Sequence, residues 1–325
     1  GGDESVDLFS NMFWEAKPYE PTDIKHGSDY TWDDVFEEPV IGYDIPFKSI
    51  NEKIGGFRLK EHTVLFAASG LGKSTLVRAI GYSMGVQHNW KIGSIFLEEQ
   101  DKKTVQGYIG CHLKIALNKL RKNPELITEE KRVESMKMIS DHHEFLTHTG
   151  SISPTALLDK IRHLYNLGCK LIILDHLTMA VNKENDQRLA LDELMEDIYK
   201  FVESHDVHVL SVIHLNRDKN ALFSRGGEIT ENNLRGSAGV LQQVWNAIAI
   251  EGDIQHDKYS NHRFARILKC REIGDLGLCD GSYIYDSNTG AMSYDPDVDK
   301  SILDQDNSSS SNNMPTMGKF NNGAS

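Results

Sequence analysis

Four short apolar runs, at 62–68 (HTVLFAA), 92–97 (IGSIFL), 171–174 (LIIL) and 207–213 (VHVLSVI), show little polar alternation. Such runs predict strands in a sheet covered on both faces, because side chains pointing either way must meet a packed layer. Segments with helical spacing of apolar positions lie between and beside them, at 73–87, 101–120, 154–167 and 188–204. Strands alternating with helices predict βαβ units and a mostly parallel sheet. After residue 245 the pattern changes. NAIAIEG, FARILKC and SYIYDSNTGAM read as short strands, the last a hairpin around Asn288, Thr289 and Gly290. The expectation is an α/β fold with a small antiparallel extension at its C-terminal edge and no internal repeat.

The two ends depart from this pattern. Residues 1–45 are acidic yet contain Phe9, Phe13, Trp14, Tyr30, Trp32 and Phe36, more aromatics than a solvated tail usually holds. An arm that docks on something fits that composition, with a mostly disordered leader as the alternative. Residues 296–325 run into DQDNSSSSNNMPTMGKFNNGAS, which is too polar to order itself and predicts a flexible tail. Residues 46–295 are left as the folded body.

Composition adjusts the picture in three ways. With 325 residues, 39% of them hydrophobic, the chain can bury a sizeable core as one large or two ordinary domains. The net charge of −13 argues at first against a nucleic-acid partner, but residues 46–294 hold 31 acids and 31 bases, so the charge lies in the ends. A neutral body can still carry local basic loops. No apolar run of about 18 residues appears and the first residues lack a signal-peptide pattern, so neither membrane insertion nor secretion is expected. Cys111, Cys169, Cys270 and Cys279 are scattered without C-x-x-C spacing, which indicates no zinc site and no disulfide framework and leaves a reducing compartment as the default. The Gly-Gly start without methionine suggests a trimmed chain or a fragment.

Chemistry concentrates where the apolar runs end. HTVLFAA is followed by SGLG and then by KSTLVRAIGY, a strand, a turn and a helix. The stretch 67–75 (AASGLGKST) nearly matches the phosphate-loop template G-x-x-x-x-G-K-[ST], with Ala67 in place of the first glycine. Across Ser69, Gly70, Leu71, Gly72, Lys73, Ser74 and Thr75, backbone N–H groups and the helix dipole would face phosphate. Lys73 adds a point charge and Ser74 a magnesium ligand. Asp175 closes LIILD and can hold the magnesium ion. Glu98 and Glu99 close IFLEE; either can orient and deprotonate an attacking water, or be a surface acid that starts the next helix, the reading favoured for Glu99. His214 closes VLSVIH as a candidate γ-phosphate sensor, or as a packing residue.

These stations, with 234–239 (LRGSAG), 266–271 (RILKCR) and GDLG from Gly274, resemble the RecA-type motor of hexameric replicative helicases. The resemblance covers roughly residues 50–295 and is nearest to the helicase half of phage T-seven-like primase-helicases and to mitochondrial Twinkle, with bacterial DnaB more distant. It implies a RecA-like P-loop ATPase fold, ATP or another NTP with Mg2+, and movement along single-stranded DNA in the 5′–3′ direction with duplex unwinding. It also implies Glu98 as catalytic base, Asp175 as the metal-side acid, His214 as sensor, Arg271 as an arginine finger reaching a neighbour's nucleotide with Lys269 beside it, and Tyr285 stacking on the base. The first loop position is often not glycine in that family, so Ala67 is no departure from it. The partners implied are further copies in a hexameric or heptameric ring, a primase and a replicative DNA polymerase, with a phage or virus source acting in host cytoplasm. Nothing resembles the zinc-binding primase half.

DNA contact is expected from Arg217, Lys219, Asn220 and Arg225, in the glycine-containing loop after His214, on position and not on charge. Three rival readings share these residues: a RecA-like recombinase, a clock-type ATPase and a nucleotide-gated scaffold on DNA.

Overall fold

The computed structural model describes residues 25–36, 40–215, 223–231 and 238–303. Its parallel strands are β1 (His62–Ala67), β2 (Ile92–Phe96), β3 (His143–Phe145), β4 (Leu171–Asp175), β5 (His208–His214) and β6 (Asn246–Glu251). They lie in the order β3-β2-β4-β5-β1-β6. Beyond β6 the sheet turns antiparallel through β7 (His262–Cys270), β9 (Ser282–Tyr285) and β10 (Met292–Asp295), with β8 (Gly277–Leu278) also on β7. Every residue of β1, β2, β4 and β6 is buried, as a sheet covered on both faces requires.

The covering helices follow from their apolar stripes and caps. Pro154–Asn166 begins with Pro154 behind the Ser153 cap, whose hydroxyl accepts from Ala156 N, and buries Leu157, Leu158, Ile161 and Leu164. Gln187–Ser204 is capped by Asp186 and buries Leu191, Leu194, Met195, Ile198, Phe201 and Val202. Each such side chain contributes about 1.5–3 kcal/mol relative to exposure, so these stripes, and not intrinsic propensity, hold the helices.

One expected helix is broken. The segment 101–120 forms Asp101–Leu113 and then Leu117–Lys122, with Lys114 at φ 54° between them. Ile115 N donates to Gly110 O, and a β-carbon on Gly110 would come within 2.9 Å of Ile115 O, so glycine permits the sharp return. The break exposes Ala116 N, which donates to Asn288 O, and Gly290 at φ 70° lies against Ala116. The β9–β10 hairpin is thereby seated on the helix break. The helices Trp32–Val35, Lys48–Ile54, Glu129–His142 and Ala238–Gln242 and the short β3 lie outside the sequence expectations. Glu129–His142 buries only Ser135, Met138 and Ile139, too few for a legible stripe.

The segment Gly1–Ile41 is a unit of its own. In it Trp32–Val35 is a single helical turn with a Thr31–Asp34 capping box, and Trp32 packs on Phe36 at 4.1 Å. Phe9, Phe13 and Trp14 lie outside the described residues. At the other end, where a flexible tail is expected from 296, Lys300 pairs with the buried Glu251 and Leu303 is itself buried, so the chain is anchored through 303. Among the described residues no helix is long and apolar enough to cross a membrane.

Candidate functional site

The phosphate loop joins β1 to the helix Lys73–His88, and its shape explains the missing glycine. Ala67 is the last residue of β1, fully buried and paired with His214 on one side and Ile250 on the other, in extended backbone that any residue adopts. The glycines fall where they are needed: Gly70 and Gly72 have φ of 83° and 84°. Lys73 is buried, its ammonium donating to Ala67 O at 3.3 Å and Ala68 O at 2.8 Å. Burial lowers its pKa, opposed by the charges of Asp175 and Glu98.

Arg263 supports the loop from beneath. It is buried on β7 and donates to Leu71 O at 3.0 Å, with further bonds to Ser260 O and His262 O. The contact joins residues 192 positions apart, and only an arginine amid an apolar strand pattern hinted at it.

Strand register brings the acids and histidines to the same edge. Phe96 pairs with Asp175, Leu174 with Ser211 and Ala67 with His214, so the carboxyl ends of β2, β4, β5 and β1 stand level. Ser74 Oγ donates to Asp175 Oδ2 at 2.6 Å. Burial raises the Asp175 pKa, with the Ser74 hydroxyl and His176 working against it. Glu98, just past β2, has Oε1 3.0 Å from His176 Nε2 and Oε2 4.0 Å from His214 Nε2. The two imidazole rings lie 3.9 Å apart. Burial pushes the His214 pKa down to about 4, assisted by the positive charge of Lys73, so it is neutral at pH 7. His176 was not singled out in the sequence; the only signal was its place directly after the strand-ending acid.

Glu99 is not the surface acid expected. Its side chain is only 9% exposed, held by Arg78, by Thr104 Oγ1 at 2.8 Å and by Lys103 at 3.2 Å. Burial works to raise its pKa, yet Arg78 and these donors hold it below the usual range. The reason is the helix Lys73–His88, which delivers Arg78 beneath Glu99 and over the Phe96 ring. Ser74, Thr75, Arg78, Glu99 and Tyr285 line one cleft of about 440 Å³. The seating of the hairpin on the helix break brings Tyr285 there. A larger cavity of about 570 Å³, with Ile109, Leu113 and Met136 in its wall, is mostly apolar and away from the phosphate loop.

Arg271 and Lys269 are not brought to this edge. Arg271 N donates to Trp245 O and Trp245 N to His62 O, which sets Arg271 level with the start of β1. Five residues of strand, about 16 Å, separate that level from Ala67. There the Arg271 guanidinium lies 4.9 Å from the Trp245 ring and 5.4 Å from Tyr199, and it donates to Gln242 O. Lys269 donates to Leu241 O, and burial followed by the charge of Arg271 lowers its pKa to about 8.

Of the expected DNA contacts, Arg225 is exposed, and its backbone forms an isolated antiparallel β-bridge with that of Asp253. Arg217, Lys219 and Asn220 lie outside the described residues, as do Leu234, Arg235, Gly236 and Ser237 of the LRGSAG motif. The far end of that loop is tied down: Ile229 N donates to Glu251 Oε1 at 2.7 Å, and the same carboxylate takes Arg266 and Lys300.

The sequence model of the DnaB-like helicase C terminal domain matches residues 42–254. A DNA helicase/primase of Enterobacteria phage T3 is 28% identical over 288 residues, covering 85% of this chain and 50% of that protein. The chain thus spans about half the length of the curated relative it matches. Two solved structures share the fold. One is an ATPase domain, with TM-score 0.67 and 17% identity over 90% of this chain and 98% of that one. The other is a DnaB-like replicative helicase from a study of its interactions with primase, with TM-score 0.67 and 16% identity over 90% and 68%.

Proposed function

The chain belongs to the DnaB-like helicase C-terminal domain family, and we propose that it is the NTP-driven motor of a ring-forming replicative DNA helicase. In this reading ATP or another NTP lies on the phosphate loop, its base in the cleft beside Tyr285. Glu98 orients and deprotonates the attacking water, since phosphoryl transfer asks the protein mainly for positioning and charge stabilisation. His176 holds the Glu98 carboxylate, and the neutral His214 faces the phosphate side. Ser74 and Asp175 offer a hydroxyl and a buried carboxylate 2.6 Å apart, hard oxygen donors of the kind Mg2+ takes. When bound, Mg2+ would neutralise charge on the phosphates.

The observation that carries the proposal is the separation of Arg271 from the site of its own chain. Lys73, Ser74, Asp175, Glu98 and His214 gather at one end of the parallel strands, while Arg271 stands at the other. A site lacking its arginine in one subunit is completed by a neighbour, and this supports a hexameric or heptameric ring. Arginine fingers contribute about 10³–10⁵ in rate, so hydrolysis would depend steeply on assembly. Single-stranded DNA is taken by the loop holding Arg217, Lys219, Asn220 and Arg225, with movement 5′–3′. The arm 1–45 packs on an adjacent subunit, and a primase and a replicative polymerase work alongside in the cytoplasm of a phage-infected host. Family membership leaves the recombinase, clock-type and scaffold readings unfavoured.

The test is a forked-duplex unwinding assay beside native mass measurement with nucleotide and single-stranded DNA. The expected result is a ring of six or seven chains that opens the fork only with hydrolysable nucleotide. Hydrolysis indifferent to single-stranded DNA, with no unwinding, would reject it.

A further inference from the structure

Two imidazoles face the two oxygens of one carboxylate beside the phosphate loop. His176 Nε2 lies 3.0 Å from Glu98 Oε1, and His214 Nε2 lies 4.0 Å from Glu98 Oε2. One ligand atom from each of the three residues falls within 4.8 Å of the others. We infer that Glu98, His176 and His214 form a binding site for a zinc-type divalent ion, and that the bound ion arrests hydrolysis by taking up Glu98.

Distance and chemistry both fit. Zinc bonds to imidazole nitrogen and carboxylate oxygen are about 2.0–2.2 Å, so two donors on one tetrahedral ion lie about 3.3–3.6 Å apart. The two observed separations straddle that span, and small side-chain rotations meet it. His176 Nδ1 is engaged by Thr178 Oγ1, which fixes the ring with Nε2 toward Glu98, the outer support that metal-binding histidines usually have. The site is closed on one side and open on the other: the His176 side chain is 8% exposed and that of Glu98 56%. An ion therefore has an entry path, and three protein ligands leave a position for water.

Ligand type separates this site from that of the nucleotide's own cation. Ser74 and Asp175 present only oxygen, which suits a hard ion, whereas two imidazoles and a carboxylate select a borderline one. The arrest rests on the reading of Glu98 as base; the binding does not.

The test uses the full chain without nucleotide and Zn2+ competed against a chromophoric chelator, with Co2+ absorption as a second probe. One ion per chain is expected, weakened at least about tenfold in each of Glu98→Gln, His176→Asn and His214→Asn. Co2+ on the wild type should give ligand-field bands without thiolate charge transfer, a result independent of whether any variant folds. Equal affinity in wild type and all three variants, or a thiolate band, overturns the site. With Mg2+ and nucleotide present, Zn2+ should lower hydrolysis at least about tenfold, reversibly with chelator and without relief by more Mg2+. Relief by Mg2+ moves the inhibition to Ser74 and Asp175 and overturns the arrest. Zinc bound at one per chain with hydrolysis unchanged overturns Glu98 as base while leaving the site standing.

Discussion

The Ser74 hydroxyl donates to Oδ2 of Asp175 at 2.6 Å, across 101 residues of sequence. Asp175 is 5% exposed and its pKa is raised by burial, so the folded chain holds this carboxylate at a cost in stability. Asp175→Asn removes the charge and keeps the hydrogen bond. We expect nucleotide hydrolysis to fall by about 10²-fold or more with the melting temperature unchanged or higher, the pattern of a site kept for function against stability. Calorimetry beside steady-state hydrolysis checks it; a variant that loses stability in step with activity would show the carboxylate to be structural.

His176 is the nearer of the two imidazoles to Glu98, and its ring is fixed from behind by Thr178. His176→Asn should lower kcat by about 10²-fold, the scale on which a small misplacement of a reacting group acts, while KM for nucleotide stays within about twofold. A structural role alone would move KM and the melting temperature together.

Arg271 lies against the stacked rings of Trp245 and Tyr199, at the strand end opposite Lys73. If Arg271 acts on a neighbour's nucleotide, each Arg271→Ala subunit mixed with wild type disables one site, so hydrolysis should fall at least in proportion to dilution, and more steeply where the subunits fire in concert. Mixed rings containing Lys73→Ala in other subunits sharpen the result. If the two defects lie in one site contributed by two chains, mixing them restores some activity, because wild-type halves meet. No complementation between the two variants would place Arg271 in its own chain's site.

Much of this arrangement is legible in the sequence because the site lies where apolar runs stop. Asp175, His214 and Glu98 each interrupt or directly follow a buried strand, and parallel strands of similar length bring such interruptions level. Ala67, an apparent defect in the phosphate-loop template, is one of those strand residues and needs no glycine. What stays hidden depends on contacts that no local pattern encodes. Arg263 supports Leu71 across the sheet, and Arg78 reaches Glu99 because a helix turn happens to face the next strand's end. The break at 114–116 is set by Gly110 and by the hairpin docked on Ala116, so helical periodicity runs straight through it. His176 becomes notable only once the register of β2 against β4 is known.

The core also carries three buried histidines that predict how the fold responds to acid. Burial holds His62 and His143 at a pKa of about 3 and His208 at about 4, well below the usual 6.5. His62 Nε2 meets Ser211 and His208 Nδ1 meets Arg58 O, but among the described residues His62 Nδ1, His208 Nε2 and both nitrogens of His143 have no hydrogen-bond partner. Their folded pKa values lie below the unfolded one, so stability is fully present above about pH 6.5 and falls as pH drops below it. At pH 5 each loses about 2 kcal/mol, about 6 kcal/mol for the three. Glu61 works the other way: burial raises it to about 7, so acid favours its folded, neutral form and offsets roughly one histidine. Asp175, also raised, adds to that offset. From these three histidines and Glu61 the net expectation at pH 5 is a loss of about 4 kcal/mol, lessened by Asp175 and deepened by His214, a large share of the 5–15 kcal/mol typical of a domain. Thermal melts followed by circular dichroism from pH 7.5 to 4.5 should show the melting temperature dropping through this window. His208→Phe, which keeps the stack on Phe57 and removes one titrating ring, should move the drop to lower pH. A melting temperature flat to pH 4.5 in the wild type would mean these histidines reach solvent before the fold opens.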